Sequence, residues 1–459
     1  MEVQVTPGNL RPVQTAFNIT HRKVLAIAVP IMLSNVSQPL IGVVDTAVIG
    51  RLPEPYYIGA VAIASLIFSF LYWGFGFLRL GTSGLTAQAF GANDQREVAA
   101  VLCRALLVAI GCGLLLILLG PLIQRLAFGL IEGSAEVEGN AALYFRIRIW
   151  SAPFALIDFV LLGWFIGQGR ARMVLGLQLF LNLANMALDV LFVLGFGMTT
   201  AGVALGTLIA EIAAAGLGCA VIWRSAYQGR IKFELALVFD AEKLKRTFAI
   251  NFDIMVRTWC LVFALWWHAA QGARQGDVIL SANTVLMHCF EVSAYLIDGF
   301  AYAAEALVGQ AVGAKSFTRY RGAIIITTVW ALAVGAILAI AILLAGPQII
   351  DALAVNPEVR QTARIYLPWV ALSAVLGVVC FQLDGIFTGA TRTRDMRNMM
   401  IVSIIVYLIS WWVASRALGN HGLWLALNIF FIVRAVTLGM RVPALEQASF
   451  TASRPALIR

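Results

Sequence analysis

Charge is what this chain has least of. Only 12% of its 459 residues are Asp, Glu, Lys or Arg, against 61% hydrophobic residues and a mean hydropathy of +0.86. An ordinary soluble domain, with roughly a quarter of its residues charged, is excluded. Histidine is limited to four residues, and the six cysteines, Cys103, Cys112, Cys219, Cys260, Cys289 and Cys380, stand singly without a CxxC pair. That spacing excludes a zinc-binding cluster and a disulfide framework, and no metal site is expected. The first twenty residues lack the apolar stretch and small-residue cleavage site of a secretory leader. Neither the paired motif aspartates of an intramembrane protease nor a metal-ligand cluster is present, so no enzyme and no bound cofactor are expected.

Long apolar runs are there instead. Crossing ~30 Å of hydrocarbon takes about 20 helical residues. About twelve stretches qualify, near 25–49, 57–89, 99–120, 142–166, 173–195, 202–223, 247–271, 278–311, 322–345, 362–388, 398–417 and 422–440. The predicted fold class is an all-α polytopic membrane protein. Its net charge of +9 is unevenly placed: about 22 Lys and Arg fall in connections on the side of the N-terminus, about 8 on the other side, and three inside spans. Positive charge marks the cytoplasmic side, which puts both termini there and makes the span count even. The basic connection 224–246, with Lys232, Lys243, Lys245 and Arg246, then reads as a topology determinant rather than a nucleic-acid surface.

The chain repeats itself. Gln88-Ala89-Phe90-Gly91-Ala92 matches Gln310-Ala311-Val312-Gly313-Ala314, and the segment 165–172 (FIGQGRAR) matches 387–394 (FTGATRTR), both at an offset of 222 positions. Two matches in one register indicate a duplication of six spans, and because six is even the halves run in parallel about an axis along the membrane normal. The predicted organisation is a cytoplasmic N-terminal segment (1–24), an N-lobe (25–223), a cytoplasmic linker (224–246), a C-lobe (247–440) and a cytoplasmic tail (441–459). Two parallel six-helix repeats around a central cleft form a transporter architecture.

A carboxylate near the middle of a membrane span costs about 2.5–3.5 kcal/mol, so each one here needs a reason. Asp45 stands in SQPLIGVVDTAVIG, and Asp189 in NLANMALDVLF at a similar height, with Gln38, Asn185 and Thr207 as polar neighbours. Two carboxylates held close in a low dielectric do not both ionise readily, so a proton or a sodium ion is their expected occupant. Asp158 and Glu211 add acid groups to the same lobe. At the repeat offset Asp45 and Asp189 become Trp267 and Trp411, so the pair belongs to one lobe, which points to function rather than folding. Pro30 and Pro39 interrupt the first span below Asp45, making it a candidate bending element.

A second set, Arg79, Asp253, Arg257, Asp298 and Glu305, has balanced signs in the inner half of the membrane. It reads either as buried charges that neutralise one another or as an inner gate of ion pairs. Asp384 and Glu291 are isolated acids of the second lobe, placed either to face the cleft or to meet an unseen partner. His268 and His288 are expected to pack rather than relay protons.

The segments VPIMLSNVSQPLIGVVDTAVIGRL, the Asn185-Asp189 spacing, NFDIMVRT at 251–258 and YLIDGFAYAAEALVGQAVGA at 295–314 resemble the multidrug and toxic compound extrusion (MATE) transporters, specifically the DinF-like branch. The resemblance runs from about residue 20 to 440. It implies a twelve-helix, two-lobe antiporter that exports lipophilic, often cationic compounds in exchange for protons or sodium, with Asp45 matching the family's span-one carboxylate and Gln38, Asn185, Asp189 and Thr207 its N-lobe polar cluster. Bending of span one on protonation has been proposed in that family. The sodium-coupled branch carries a span-seven glutamate that RTWCLVFALWW lacks, and Asp384 alone resembles that site's span-ten acid, so the resemblance favours protons. A lipid-linked precursor flippase of the same superfamily is the rival reading, and it would want a basic cavity. The expected setting is the bacterial cytoplasmic (inner) membrane, with membrane lipids as neighbours and a monomeric state.

Overall fold

The computed structural model describes residues 19–52, 54–129, 134–228 and 234–450; Lys232, most of the expected N-terminal segment and residues 451–459 of the expected tail lie outside them. Twelve helices among the described residues are long and apolar enough to cross a membrane. They are span 1 (His21–Ile49), span 2 (Tyr56–Gly91), span 3 (Gln95–Phe128), span 4 (Ala135–Gly167), span 5 (Ala171–Gly195), span 6 (Thr200–Tyr227), span 7 (Ala241–Ala273), span 8 (Asp277–Gly313), span 9 (Phe317–Leu353), span 10 (Pro357–Gly389), span 11 (Thr393–Leu418) and span 12 (Asn420–Phe450).

Polar caps set where several begin. Asp94 accepts from Glu97 N at 3.0 Å, Ser134 from Val137 N at 3.4 Å and Asn356 from Glu358 N at 2.8 Å, so spans 3, 4 and 10 start at capped turns outside the apolar runs. This is why span 4 is seven residues longer at its start than hydropathy indicated. The expected tail also differs. After a turn at Met440 and Arg441 the chain continues as the helix Val442–Phe450, whose buried Phe450 ring meets Phe317 at 5.5 Å and Tyr320 at 5.1 Å. Aromatic burial holds that segment against span 9.

The repeat is written into the backbone. Asn93 and Lys315, Gly169 and Thr391, and Gly197 and Gly419 all adopt positive φ, and each pair is 222 positions apart. Helices end at such left-handed residues, so both halves turn at equivalent places. Inside the N-lobe, Gly163 and Gly167 of span 4 lie on the carbonyl oxygens of Arg79 and Ser83 in span 2. At the same offset, Gly385 and Gly389 of span 10 lie on those of Ala301 and Glu305 in span 8. A methyl group at any of the four would collide with a backbone oxygen, so these crossings need glycine.

The lobes, spans 1–6 and 7–12, meet where span 1 packs on span 8 and span 2 on spans 7 and 8. They close together at the end that carries the basic connections. Toward the other end they diverge around a cavity of about 1030 Å³, lined from both lobes, and a smaller one of about 190 Å³ continues inward from it, sharing Trp73, Glu291 and Tyr295. Large apolar side chains such as Leu66, Leu118 and Leu344 are exposed around the outside, as a surface solvated by lipid requires.

Candidate functional site

Span 5 carries Gln178, Asn182, Asn185 and Asp189, spaced four, three and four residues apart, so all four lie on one helical face. All are buried. They form a ladder: Gln178 donates to Asn182 Oδ1 at 3.0 Å, Asn182 to Ser37 Oγ of span 1 at 2.7 Å, and Asn185 to Thr207 Oγ1 of span 6 at 3.0 Å. Asp189 stands at the top, fully buried, with Asp45 of span 1 facing it at hydrogen-bonding range. Taken as two carboxylates, neither Asp189 oxygen nor Asp45 Oδ1 has a donor. Such a contact is satisfied by one proton held between the two groups.

The backbone is shaped around this pair. Gly206 of span 6 leaves the space occupied by Asp189 Oδ1. Directly after Asp189 the helix widens to π form over Val190–Gly195, a distortion that recurs at functional sites. Span 1 is a continuous helix that includes both Pro30 and Pro39. Asp45 opens onto the large cavity, while Asp189 lies behind it. Gln38 is exposed on the cavity wall, and its neighbour Ser37 supplies the buried contact to span 5. Ser37, Gln178 and Asn182 were missed from the sequence, although the polar spacing LQLFLNLANMALD carries the signal.

Asp158 and Glu211 line the same cavity, together with Arg148, which was not singled out from the sequence. Arg148 lies over the Phe68 ring at 5.0 Å, donates to Tyr144 at 2.9 Å and reaches Glu211 Oε1 at 3.4 Å. Glu211 Oε2 and Asp158 Oδ2 are buried without a donor. Arg148 thus pairs with Glu211, while Asp45 and Asp158 line the same cavity without an ion pair among the described residues. Glu291 faces them from span 8, 3.3 Å from His288, which lines the cavity rather than packing in the protein interior. His268 does pack, edge-on to Trp424 at 4.8 Å.

The C-lobe answers the repeat differently. Where the N-lobe places two carboxyls, Trp267 and Trp411 meet edge to face at 5.0 Å. Asp384, read as isolated, is bound by two arginines: Arg257 of span 7, and Arg434 of span 12 at 2.6 Å. Arg434 was missed, although an arginine inside NIFFIVRAVTLG is conspicuous. Asp253 pairs with Arg397 at 2.6 Å and accepts from Thr393 at 3.1 Å. These ion pairs all lie within the C-lobe. Of the set expected to gate the inner side, Arg79 makes a hydrogen bond across the cleft to the Tyr302 hydroxyl, and Glu305 of span 8 faces Ser83 of span 2. Asp298 and Glu305 line the smaller cavity, and Glu305 Oε1 has no donor.

The MatE family model matches residues 30–191 and 258–415. The chain is 39% identical to DNA damage-inducible protein F of Escherichia coli K12 over 436 residues, covering 94% of each chain. It is 27% identical to a probable multidrug resistance protein NorM of Bradyrhizobium diazoefficiens, covering 91% of this chain and 92% of that one. Among solved structures, an outward-facing multidrug resistance MATE transporter superposes with a TM-score of 0.82 at 18% identity, over 93% of this chain and 97% of that one. A MATE protein crystallised in a bent conformation gives 0.85 at 19% identity, over 93% and 96%.

Proposed function

The chain belongs to the MatE family, and from that premise we propose that it is a secondary active antiporter that exports lipophilic, cationic compounds in exchange for protons, coupled through Asp45 and Asp189. The observation that carries this reading is the buried carboxyl pair: Asp45 opens onto the cavity, and no cationic side chain makes an ion pair with either acid among the described residues. A site of that kind holds either protons or a cation, and exchange between them is antiport. The Arg257, Asp384 and Arg434 cluster supports protons over sodium, because the acid that a C-lobe sodium site would use already has two cationic partners. The acid lining of the large cavity supports a cationic substrate over an anionic lipid-linked one.

In this cycle a proton enters from the open side, neutralises the pair and removes the charge that held the substrate. Span 1, with Pro30 and Pro39 below Asp45, is the element whose shape that event biases. The basic end is cytoplasmic, both termini lie there, and the protein works as a monomer in the bacterial inner membrane.

The test is transport of a lipophilic cation in proteoliposomes under separately imposed proton and sodium gradients. Proton-driven transport that Asp45→Asn abolishes is the expected result. Transport driven by sodium alone, or an Asp45→Asn variant that transports normally, overturns the reading and moves attention to Asp384.

A further inference from the structure

The repeated Gln-Ala-x-Gly-Ala motif has no part in the coupling site, which lies in the other half of the molecule. Gln88 lies in the last turn of span 2 in the N-lobe and Gln310 in the last turn of span 8 in the C-lobe, and each side chain crosses to the opposite lobe. Gln88 Nε2 donates to the Gly389 carbonyl at 3.1 Å, and Gln310 Nε2 donates to the Gly167 carbonyl at 3.0 Å. Gly167 and Gly389 are the last residues of spans 4 and 10 and are 222 positions apart, as are the two glutamines. The two contacts are thus one interaction made twice about the pseudo-twofold axis.

The acceptors explain why glutamine stands there. Carbonyls in the last turn of a helix have no partner within the helix. The neighbouring amide donors turn elsewhere: Gly169 N goes to Ile166 O, Arg170 N to Phe165 O, Thr391 N to Thr388 O and Arg392 N to Phe387 O. The glutamines cap what remains. The backbones beside them touch: Gly91 lies on the Gln310 carbonyl, Gly313 on the Gln88 carbonyl, and Gly309 on Ala87 and Gly389. A side chain at Gly91 or Gly313 would overlap the other lobe's backbone. Gln88 also donates to Thr391 Oγ1 at 3.1 Å and accepts from Arg246 at 3.1 Å, which ties the start of span 7 to the same point.

We infer that Gln88 and Gln310, seated by Gly91 and Gly313, are the reversible latch that closes the basic end of the cleft. The inference rests on the transporter reading in one respect, that the cleft must open at both ends in turn. The latch bonds are neutral. Ion pairs in a protein interior are costly to break without a replacement, whereas a glutamine amide and a helix-end carbonyl released into water are solvated at once. Two such bonds bias the closed form by about 5- to 150-fold, enough to favour closure and little enough to reverse in every cycle. Being uncharged, the latch does not respond to pH itself and must be released by movement of spans 2 and 8.

The experiment places a single cysteine at Met396, which lines the inner cavity, in a chain whose six native cysteines are replaced, and measures its labelling by a membrane-impermeant maleimide from the cytoplasmic face. Gln88→Ala with Gln310→Ala is expected to speed labelling by up to about 150-fold, with each single variant giving a smaller, similar rise. Gln88→Asn with Gln310→Asn keeps both amides but shortens each arm by one methylene; it is expected to give the same direction of change in a protein that retains its fold. Unchanged labelling in a folded variant overturns the latch. Labelling needs neither substrate nor gradient, so a latch that behaves as expected in a protein lacking proton-driven transport would refute the coupling reading alone, and the reverse would refute the latch alone.

Discussion

Asp384 offers the sharpest separation between a structural and a coupling acid. Its Oδ2 receives Arg257 and Arg434, whose side chains are 11% and 3% exposed, and Asp384 itself is 13% exposed. Replacing it by Leu leaves two guanidiniums facing each other in a site from which most water is excluded. Removing one partner of a buried ion pair costs about 3–5 kcal/mol; two cations lose their shared acid here, while Asp298 remains near both and keeps the cost inside that range. Arg257 borders the small inner cavity and can draw in some water, which lowers the cost; Arg434 does not line it, and its Nη1 already lacks a partner. We therefore expect a loss of about 4 kcal/mol, read by reversible unfolding in mixed micelles. The triple change Arg257→Met, Asp384→Leu and Arg434→Leu should restore most of it, because an apolar cluster of similar volume needs no charge compensation. An Asp384→Leu variant that stays within about 1 kcal/mol of the wild type would refute a structural role for this acid. Stabilisation of the wild type by sodium that disappears in the variant would refute it equally, since Asp384 would then be a metal ligand.

Two further outcomes follow from the N-lobe geometry. Gly206→Ala puts a methyl group where Asp189 Oδ1 now sits; overpacking of this kind costs about 1–3 kcal/mol, so proton-driven transport should fall about tenfold or more while the protein still folds, whereas Gly216→Ala, with open space around it, serves as the neutral control. Protons and a cationic substrate compete for the same carboxyls in the proposed cycle, so substrate should bind more tightly as pH rises, by at most about tenfold per unit for one displaced proton. Isothermal titration across pH 6 to 8 checks the sign, and affinity that is flat in the wild type would count against competition.

The amino-acid sequence by itself determined the membrane class, the span count and the duplication. These follow from hydropathy, which needs about 20 apolar residues per crossing, and from the motif pairs at 222 positions. It also singled out Asp45 and Asp189, because a carboxylate in an apolar run is conspicuous wherever its neighbours lie. Partners were not legible in the same way. Asp384 reads as solitary along the chain since Arg257 and Arg434 come from spans 7 and 12, 127 and 50 positions away. Arg148 drew no notice along the chain, since its partner Glu211 is brought to it across 63 positions. The charges of the second set allowed either mutual neutralisation or ion pairs across the cleft; which of them meet a partner, Asp253 with Arg397 and Arg257 with Asp384, was decided by helix packing within the C-lobe. The glutamine motif announced a repeat, but its contacts with helix ends in the other lobe exist only once two halves of one fold face each other. Spacing within a helix is periodic and can be read from the chain; which helix stands opposite is decided by how glycine-lined crossings let the helices approach.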